Sequence, residues 1–152
     1  MYSKSVKRAP QAGFTLLEVM VVIVILGVLA SLVVPNLLGN KERADQQKVV
    51  SDLTALENSL DMYKLDNGQY PSTQQGLQAL VSKPDGEPQP RRYRENGYIK
   101  RLPTDPWGNE YQYLSPGEHG QVDIYSLGAD GVEGGEGNGV DIGNWNMQEL
   151  HK

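Results

Sequence analysis

Residues 13–35 of the chain read GFTLLEVMVVIVILGVLASLVVP, and this stretch decides how the protein is organised. Of its 21 residues from 14 to 34, only three are polar: Thr15, Glu18 and Ser31. A helix of that length spans about 31 Å, which matches the hydrocarbon core of a bilayer. The stretch therefore predicts a membrane-spanning helix, and the more hydrophilic, Gly- and Pro-rich remainder of the 152-residue chain predicts a separate domain.

The residues in front of the apolar stretch predict its orientation. Residues 1–13 contain three basic side chains and no acid, and no balancing basic cluster follows immediately after the stretch. By the positive-inside rule, the amino terminus stays in the cytoplasm and the carboxyl-terminal part is exported. An ordinary secretory signal has a shorter apolar run with its cleavage site behind it, whereas here the small residue Gly13 stands in front.

Glu18 is the one charged residue inside the apolar stretch. A charged side chain at the centre of a membrane helix costs roughly 2.5–3.5 kcal/mol, although less near the interface. Two explanations stay open: the carboxylate reaches back to the lipid headgroups, or it pairs with a specific cation. If the leader is removed after Gly13, the new α-amino group of Phe14 in a neighbouring subunit supplies that cation and fixes a stagger of about four residues.

Charge and composition exclude several classes of function. The net charge is −5 at pH 7, and removing the three positive charges of residues 1–13 leaves −8 for the rest. The 50 residues between Arg101 and Lys152 contain nine carboxylates and no Lys or Arg. Such a region repels phosphates, which argues against nucleic-acid binding. The absence of Cys excludes disulfides, thiolate metal sites and a cysteine nucleophile.

A second helical pattern follows the apolar stretch. Its apolar residues recur at spacings of 4, 3, 4 and 3, and they are Val49, Leu53, Leu56, Leu60 and Tyr63. That period places them on one face of a helix. We therefore predict one helix from the membrane to about Leu65, weakest near Pro35 and stopped by residues 66–68. Its second half is expected to pack the apolar stripe against a globular domain.

Shorter elements complete the predicted fold. Ser72 with Gln75 resembles a capping box and predicts a short second helix that carries Leu77, Leu80 and Val81. Strand-like runs at 110–114 and 121–127, with a turn between them, predict a small antiparallel sheet. The predicted fold class is α+β, with a long amino-terminal helix packed on that sheet.

Residues 127–145, LGADGVEGGEGNGVDIGNW, combine seven glycines with four acids. Glycines let a loop turn tightly and aim backbone carbonyls inward, and Ca²⁺ prefers six to eight oxygen ligands. The spacing departs from that of an EF-hand, and a single copy of a β-roll repeat cannot stack on another. On the residues alone, a calcium site and a flexible solvated loop both stay open.

Residues 13–35 resemble the class III signal and amino-terminal helix of type IV pilins and pseudopilins. The resemblance implies that a dedicated peptidase cuts after Gly13 and methylates Phe14, and that Glu18 is the assembly glutamate. It implies three segments: a cleaved basic leader (1–13), the transmembrane half of the long helix (14–35) and a globular domain (36–152). The implied location is the bacterial inner membrane, crossed once, with the carboxyl-terminal domain in the periplasm.

The segments DNGQYPSTQQGLQALV, GYIKRLPTDPWGNEYQY and DIYSLGADG, with DIGNW further on, are similar to the major pseudopilins of type II secretion systems. In that family, aspartates and main-chain carbonyls hold a calcium ion in the carboxyl-terminal loop. The matching ligands here are Leu127, Asp130, Val132 and Asp141. The participation of three further residues stays open: Glu133, Glu136 and Asn138.

The function that the resemblance implies is structural and not enzymatic. The chain is expected to polymerise through its amino-terminal helix into a pseudopilus that helps to export folded proteins across the outer membrane. Expected partners are its own copies, minor pseudopilins, the inner-membrane assembly platform, the outer-membrane secretin and the prepilin peptidase. One alternative is a type IV pilin for adhesion or motility, against which the absence of Cys argues. The other is a membrane-anchored calcium-dependent enzyme or lectin.

Overall fold

A computed structural model describes residues 13–151, with the backbone alone at 34–38 and at 151. Residues 1–12, nearly all of the predicted leader, therefore lie outside the described residues. The chain forms two compact units that meet between Asn40 and Lys41. The first unit consists, where it is described, of the apolar helical segment, and the second unit (the head) contains all the other elements.

The long helix predicted from the sequence is present as α1, Leu16–Asn67, and is continuous through Pro35. It ends where the residues 66–68 predict. Gly68 has a φ of +84°, which a side chain at this position would oppose, and its N–H reaches the Lys64 carbonyl at 2.6 Å. The helical pattern therefore predicted this end to within two residues.

The apolar stripe of α1 forms the centre of the head, as predicted. Its five residues are at most 2% exposed: Val49, Leu53, Leu56, Leu60 and Tyr63. They cluster with apolar side chains from the sheet and the loop before it, including Tyr111, Tyr113 and Ile124. Fully burying one such aliphatic side chain contributes roughly 1.5–3 kcal/mol, so this face holds the head together.

The sheet has three antiparallel strands in the order β1–β2–β3, at Gln112–Leu114, Asp123–Ser126 and Ile142–Gly143. Tyr113 pairs with Ile124, and Tyr125 pairs with Gly143. The first two strands lie inside the predicted runs but are shorter. The third strand was not predicted, because two residues at the end of a glycine-rich segment give no strand pattern.

The predicted short second helix is present, but as one turn of 3₁₀-helix that ends before Val81. The capping box is present, since Ser72 and Gln75 exchange hydrogen bonds of 3.0 and 3.2 Å between side chain and backbone. Gly76, however, has a φ of +60° and ψ of −170°, which interrupts any helix that starts at this box. The following turn is a 3₁₀-helix, Leu77–Leu80, and it still buries Leu77 and Leu80.

Candidate assembly and metal-binding sites

The amino end of α1 is capped by Thr15, and the N–H group that it caps belongs to the predicted assembly residue Glu18. Thr15 precedes the helix, and its Oγ1 accepts the backbone N–H of Glu18 at 3.1 Å. A Thr followed three residues later by Glu is a strong helix start, and a carboxylate here also favours the positive end of the helix dipole. Glu18 therefore has a role in starting the helix that the sequence interpretation missed, although the Thr-x-x-Glu spacing signals it.

The segment that carries Glu18 suits a membrane. Within the described residues, Leu16–Val33 is the one helical window long and apolar enough to cross a bilayer, with a mean hydropathy of 2.9. None of that window is buried inside the chain. The Ser31 hydroxyl donates to the Val28 carbonyl at 2.7 Å, so this polar group is satisfied within the helix. Phe14 and Glu18 both lie on the exposed surface of this segment.

The glycine-rich loop folds back on itself between β2 and β3. The N–H of Ala129 donates to the Asn138 carbonyl at 2.9 Å, which places the two halves of the loop side by side. A Cβ at Gly128 would lie 2.8 Å from the Gly139 carbonyl carbon, and the φ of Gly128 is +69°. Only glycine fits at Gly128 without a shift of the backbone.

Asp130 lies against the returning half of the loop. Its Oδ1 accepts the Val132 N–H at 3.1 Å, and a Cβ at Gly139 would lie 2.5 Å from its Oδ2. A Cβ at Gly135 would also crowd this oxygen, at 2.9 Å. These glycines therefore make room for the Asp130 carboxylate, whose side chain is otherwise exposed.

Asp141 approaches the loop from its other end, just before β3. Its Oδ2 accepts the Gly134 N–H at 2.9 Å, whereas its Oδ1 is buried and has no hydrogen-bond partner. Leaving a buried charged oxygen without a partner destabilises the folded state by more than the roughly 1–3 kcal/mol of a neutral group. A cation would satisfy this oxygen, so the donor set fits a metal at this point.

The other predicted metal-site residues lie on the same loop, but their side chains are exposed, apolar or already hydrogen-bonded. Leu127 follows β2 and is half-buried, and the Val132 side chain is 63% exposed. Glu133 and Glu136 are exposed, while the Asn138 amide is occupied by a 2.8 Å hydrogen bond to Glu42. Among residues 13–151, no three His, Cys, Asp or Glu side chains stand close enough to hold a metal together. A metal here therefore depends on backbone oxygens and water as well as aspartates.

A series of buried hydrogen bonds, which the sequence did not predict, holds the start of this loop in place. Asp105 is 3% exposed, and its Oδ1 accepts the N–H groups of Trp107 and Asn109 at 3.1 and 2.7 Å. Its Oδ2 accepts the Ser126 hydroxyl at 2.7 Å, and the Ser126 Oγ accepts the Gly128 N–H at 3.2 Å. The turn before β1 therefore positions the start of the glycine-rich loop, at Gly128.

A second buried carboxylate belongs to the first residue of β2, Asp123. Asp123 is 2% exposed and accepts hydrogen bonds from the N–H groups of Glu118 and His119 and from the His119 ring. Burial raises its pKa, but the bonds from the His119 side chain and from the two backbone N–H groups outweigh burial, so the pKa lies below its usual value. The His119 ring in turn stacks on Trp145 at 3.9 Å, which ties the chain beyond β3 to this turn.

Comparison with known proteins decides between the alternatives. A family model described as type II secretion system protein G matches residues 36–145, and one described as the prokaryotic N-terminal methylation motif matches residues 8–34. The chain belongs to the type II secretion system protein G family. The predicted membership is therefore confirmed, and the methylation motif covers the predicted cleavage residue Gly13.

Relatives in this family match the sequence of almost the whole chain. The type II secretion system core protein G of Vibrio cholerae is 73% identical over 95% of this chain and 98% of its own. The Klebsiella pneumoniae protein of the same name is 74% identical over 90% and 96%. A crystal structure named the major pseudopilin of enterohaemorrhagic Escherichia coli covers 75% of this chain and 97% of its own, with a TM-score of 0.67 and 62% identity. These relatives favour the role of a structural pseudopilin over the two alternatives, a type IV pilin and a membrane-anchored calcium-dependent enzyme or lectin.

Proposed function

We propose that this chain is the polymerising subunit of a type II secretion pseudopilus and that assembly depends on Glu18. The observation that carries the proposal is an exposed carboxylate in an otherwise apolar segment, one helical turn from the predicted cleavage site. The Thr15 bond uses the backbone N–H of Glu18 and leaves the carboxylate available for another partner. The new amino group of Phe14 in a neighbouring copy is a cation at the same depth in the membrane.

The mature chain begins at Phe14 after a prepilin peptidase removes residues 1–13 and methylates the new amino group. The basic leader remains in the cytoplasm, the segment 14–35 crosses the inner membrane once, and the head lies in the periplasm. The exposed apolar surface of Leu16–Val33 supports the membrane crossing, because contact with water is unfavourable and lipid or neighbouring helices would cover this surface.

The partners that fit this role are further copies of the chain, minor pseudopilins, the inner-membrane assembly platform and the outer-membrane secretin. Growth of the filament from the inner membrane toward the secretin helps to move folded proteins across the outer membrane. The chain itself supplies no reaction in this role; its chemistry is the pairing and packing of identical subunits.

Calcium is the cofactor that suits the glycine-rich loop. Asp130 and Asp141 would hold the ion, together with main-chain carbonyls at Leu127 and Val132 and with water. The buried, unpartnered Oδ1 of Asp141 is the strongest support, and the space that Gly135 and Gly139 leave around Asp130 is the second. The ion would neutralise two carboxylates in a region without a compensating Lys or Arg, and would thereby stabilise the folded loop.

A membrane preparation containing the secretion system tests processing and assembly together. Mass spectrometry is expected to find a chain that begins at a methylated Phe14. Glu18→Ala is expected to insert and fold normally but to form few filaments in a shearing assay. Ser31→Ala, which removes a different polar group of the same segment, is the matched control and should assemble normally. Normal filaments from Glu18→Ala would contradict the proposal.

A further inference from the structure

The head carries its positive and negative charge in different parts of the chain. The loop 83–101, which follows the 3₁₀-helix, has six Lys or Arg and three acids. The region from 102 to 151 has nine acids and no Lys or Arg. Because the two regions have opposite sign, their positions on the head determine which surfaces of two copies attract each other.

The positive loop lies at the carboxyl end of α1. Asn67, the last helical residue, is 4% exposed, and its Oδ1 accepts the Arg92 N–H at 2.9 Å. Tyr98 closes this clamp, because its hydroxyl accepts the Asn67 amide at 3.0 Å and donates to the Arg92 carbonyl at 3.1 Å. The backbone that presents Arg91 and Arg92 is therefore fixed before any partner arrives. We call the side chains of Arg91 and Arg92 the basic end.

Both guanidinium groups of the basic end remain available to a partner. Arg91 and Arg92 are exposed, and among the described residues neither forms an ion pair. The neighbouring Arg94 differs, since its Nε contacts Asp66 at 2.6 Å and is already paired within the head. Arg91 and Arg92 thus give the basic end two unpaired positive charges.

A shallow groove with negative surroundings lies at the other end of the same helical segment. It is lined by Glu42, Asp45, Trp107, Asn138, Val140 and Leu150. Val140 and Leu150 are 39% and 36% exposed, and the exposed acids Glu136 and Glu149 flank the groove in sequence. Two bases lie on the same helical turn: Lys41 is paired with Asp45 at 3.0 Å, and Arg43 is exposed beside Glu42. We call this surface the acidic groove.

The basic end and the acidic groove do not meet within one head. The groove contacts α1 at Glu42 and the basic end is anchored at Asn67, and 25 residues of continuous helix separate these two positions by about 37 Å. A contact between them therefore joins two copies through different surfaces. Repeating such a heterologous contact builds an open helical filament rather than a closed dimer.

We propose that the basic end of one head docks on the acidic groove of a second copy in the filament. The aliphatic stems of Arg91 and Arg92 cover Val140 and Leu150, while their guanidinium groups face the carboxylates around the groove. Exposed ion pairs contribute little individually, so this contact selects the register between heads and does not replace the attraction between the apolar helices. The inference rests on the proposed function, because it requires a filament of this chain.

Charge reversal in the full chain tests the contact. Two double variants, Arg91→Glu with Arg92→Glu and Glu136→Lys with Glu149→Lys, are each expected to lower the sheared filament fraction about fivefold at physiological salt. The quadruple variant restores the attraction with the signs exchanged and is expected to return to within about twofold of the wild type. Glu42 and Asn138 are left unchanged, so the hydrogen bond between loop and helix persists in every variant.

The controls separate this contact from folding and from assembly in general. Thermal unfolding of each detergent-solubilised full chain should match the wild type, because all four side chains are exposed. Lys83→Glu, on the same loop but before the segment clamped by Asn67, should assemble normally. Normal filaments from both double variants, or a quadruple variant no better than the doubles, would overturn the inference while leaving the proposed function intact. Failure of the wild type to polymerise would overturn both.

The absence of Cys permits a second, direct measurement. Subunits with Arg91→Cys and subunits with Glu136→Cys are co-expressed, and a short bifunctional maleimide is added to intact filaments. The mixed sample is expected to give a cross-linked dimer, whereas either variant alone and the mixture in a Glu18→Ala background should not. A dimer yield in the mixture no greater than in the single variants would contradict the contact.

Discussion

The Asn138 side-chain amide donates a 2.8 Å hydrogen bond to Oε1 of Glu42 and so ties the tip of the glycine-rich loop to the first helical turn of the head. Between Lys41 and Lys48 the helix has no buried side chain, and its first buried residue is Val49. A second hydrogen bond from this stretch of helix joins Lys48 Nζ to the Thr104 carbonyl at 2.6 Å. The loop therefore helps to hold the part of the helix that the core does not reach.

Asn138→Ala should loosen this helical turn without unfolding the head. A single exposed hydrogen bond contributes about 0.5–1.5 kcal/mol, so amide hydrogen exchange at residues 42–48 should accelerate up to about tenfold. Exchange in the core stretch 53–63 should be unchanged. The matched control, Gln74→Ala, removes an exposed amide elsewhere and should change neither region. Equal protection of residues 42–48 in wild type and Asn138→Ala would show that the tie carries no stability.

Calcium removal should destabilise the head through the glycine-rich loop. At a hundred times its dissociation constant, an ion that binds only the folded state stabilises it by about 2.7 kcal/mol. EDTA should therefore lower the melting temperature of the solubilised chain and expose residues 127–143 to protease first. Mg²⁺ should restore little, because it requires a tighter octahedral shell.

Variants of the loop aspartates locate the calcium effect. Asp130→Ala or Asp141→Asn should melt at the EDTA temperature even with calcium present. Glu95→Ala, which removes an exposed acid outside the loop, should keep the calcium response. If the wild-type chain melts at one temperature in EDTA and in millimolar calcium, the loop acids are only a solvated surface.

The low pKa of Asp123 predicts a loss of stability in acid. Because its folded-state pKa lies below the unfolded value of about 3.9, its contribution is complete above that pH and is lost as the pH falls through the folded pKa. The wild-type melting temperature should therefore fall more steeply below about pH 4 than that of Asp123→Asn. Parallel curves for the two proteins would contradict this assignment. Asp85→Asn, at an exposed carboxylate, is the control and should track the wild type.

Asp105→Ala should be among the more damaging single changes in the head. It would leave the buried Ser126 hydroxyl and the N–H groups of Trp107 and Asn109 without their acceptor. Losing such partners costs about 2–3 kcal/mol, measurable by urea unfolding of the solubilised chain. Asp85→Ala, at an exposed loop position, should stay within about 0.5 kcal/mol of the wild type. Equal stability of both variants would exclude a structural role for the Asp105 network.

The helix should lose regular hydrogen bonding between about Gly27 and Pro35 once subunits pack in a filament. In the isolated chain α1 is continuous there. Proline nevertheless removes one ladder bond, and glycine disfavours helix by about 1 kcal/mol relative to alanine. An unwound stretch is longer per residue and lets the heads reach their lattice positions. A filament map with unbroken helix through Ser31 would contradict the prediction.

Periodic features of the fold were predictable from the sequence because each depends on neighbours along one element. The 4-3-4-3 spacing from Val49 to Tyr63 identified five residues that are all buried. The burial of Asp123 was not predictable, because the strand pattern places a polar residue between Val122 and Ile124 on the solvent side. The turn at Glu118 and His119 folds over it and supplies the hydrogen bonds that make its burial tolerable.

The sequence by itself determined the long apolar helix, the position of Glu18, the core stripe and the family, since helical period, length and local motif are properties of adjacent residues. Only the tertiary structure brought Asn138 to Glu42, 96 positions apart, and Asp105 to Ser126. It also left one oxygen of Asp141 buried without a partner. These relationships depend on how the loop and the sheet pack against the helix, and side-chain hydrogen bonds between distant segments leave no periodic trace in the chain.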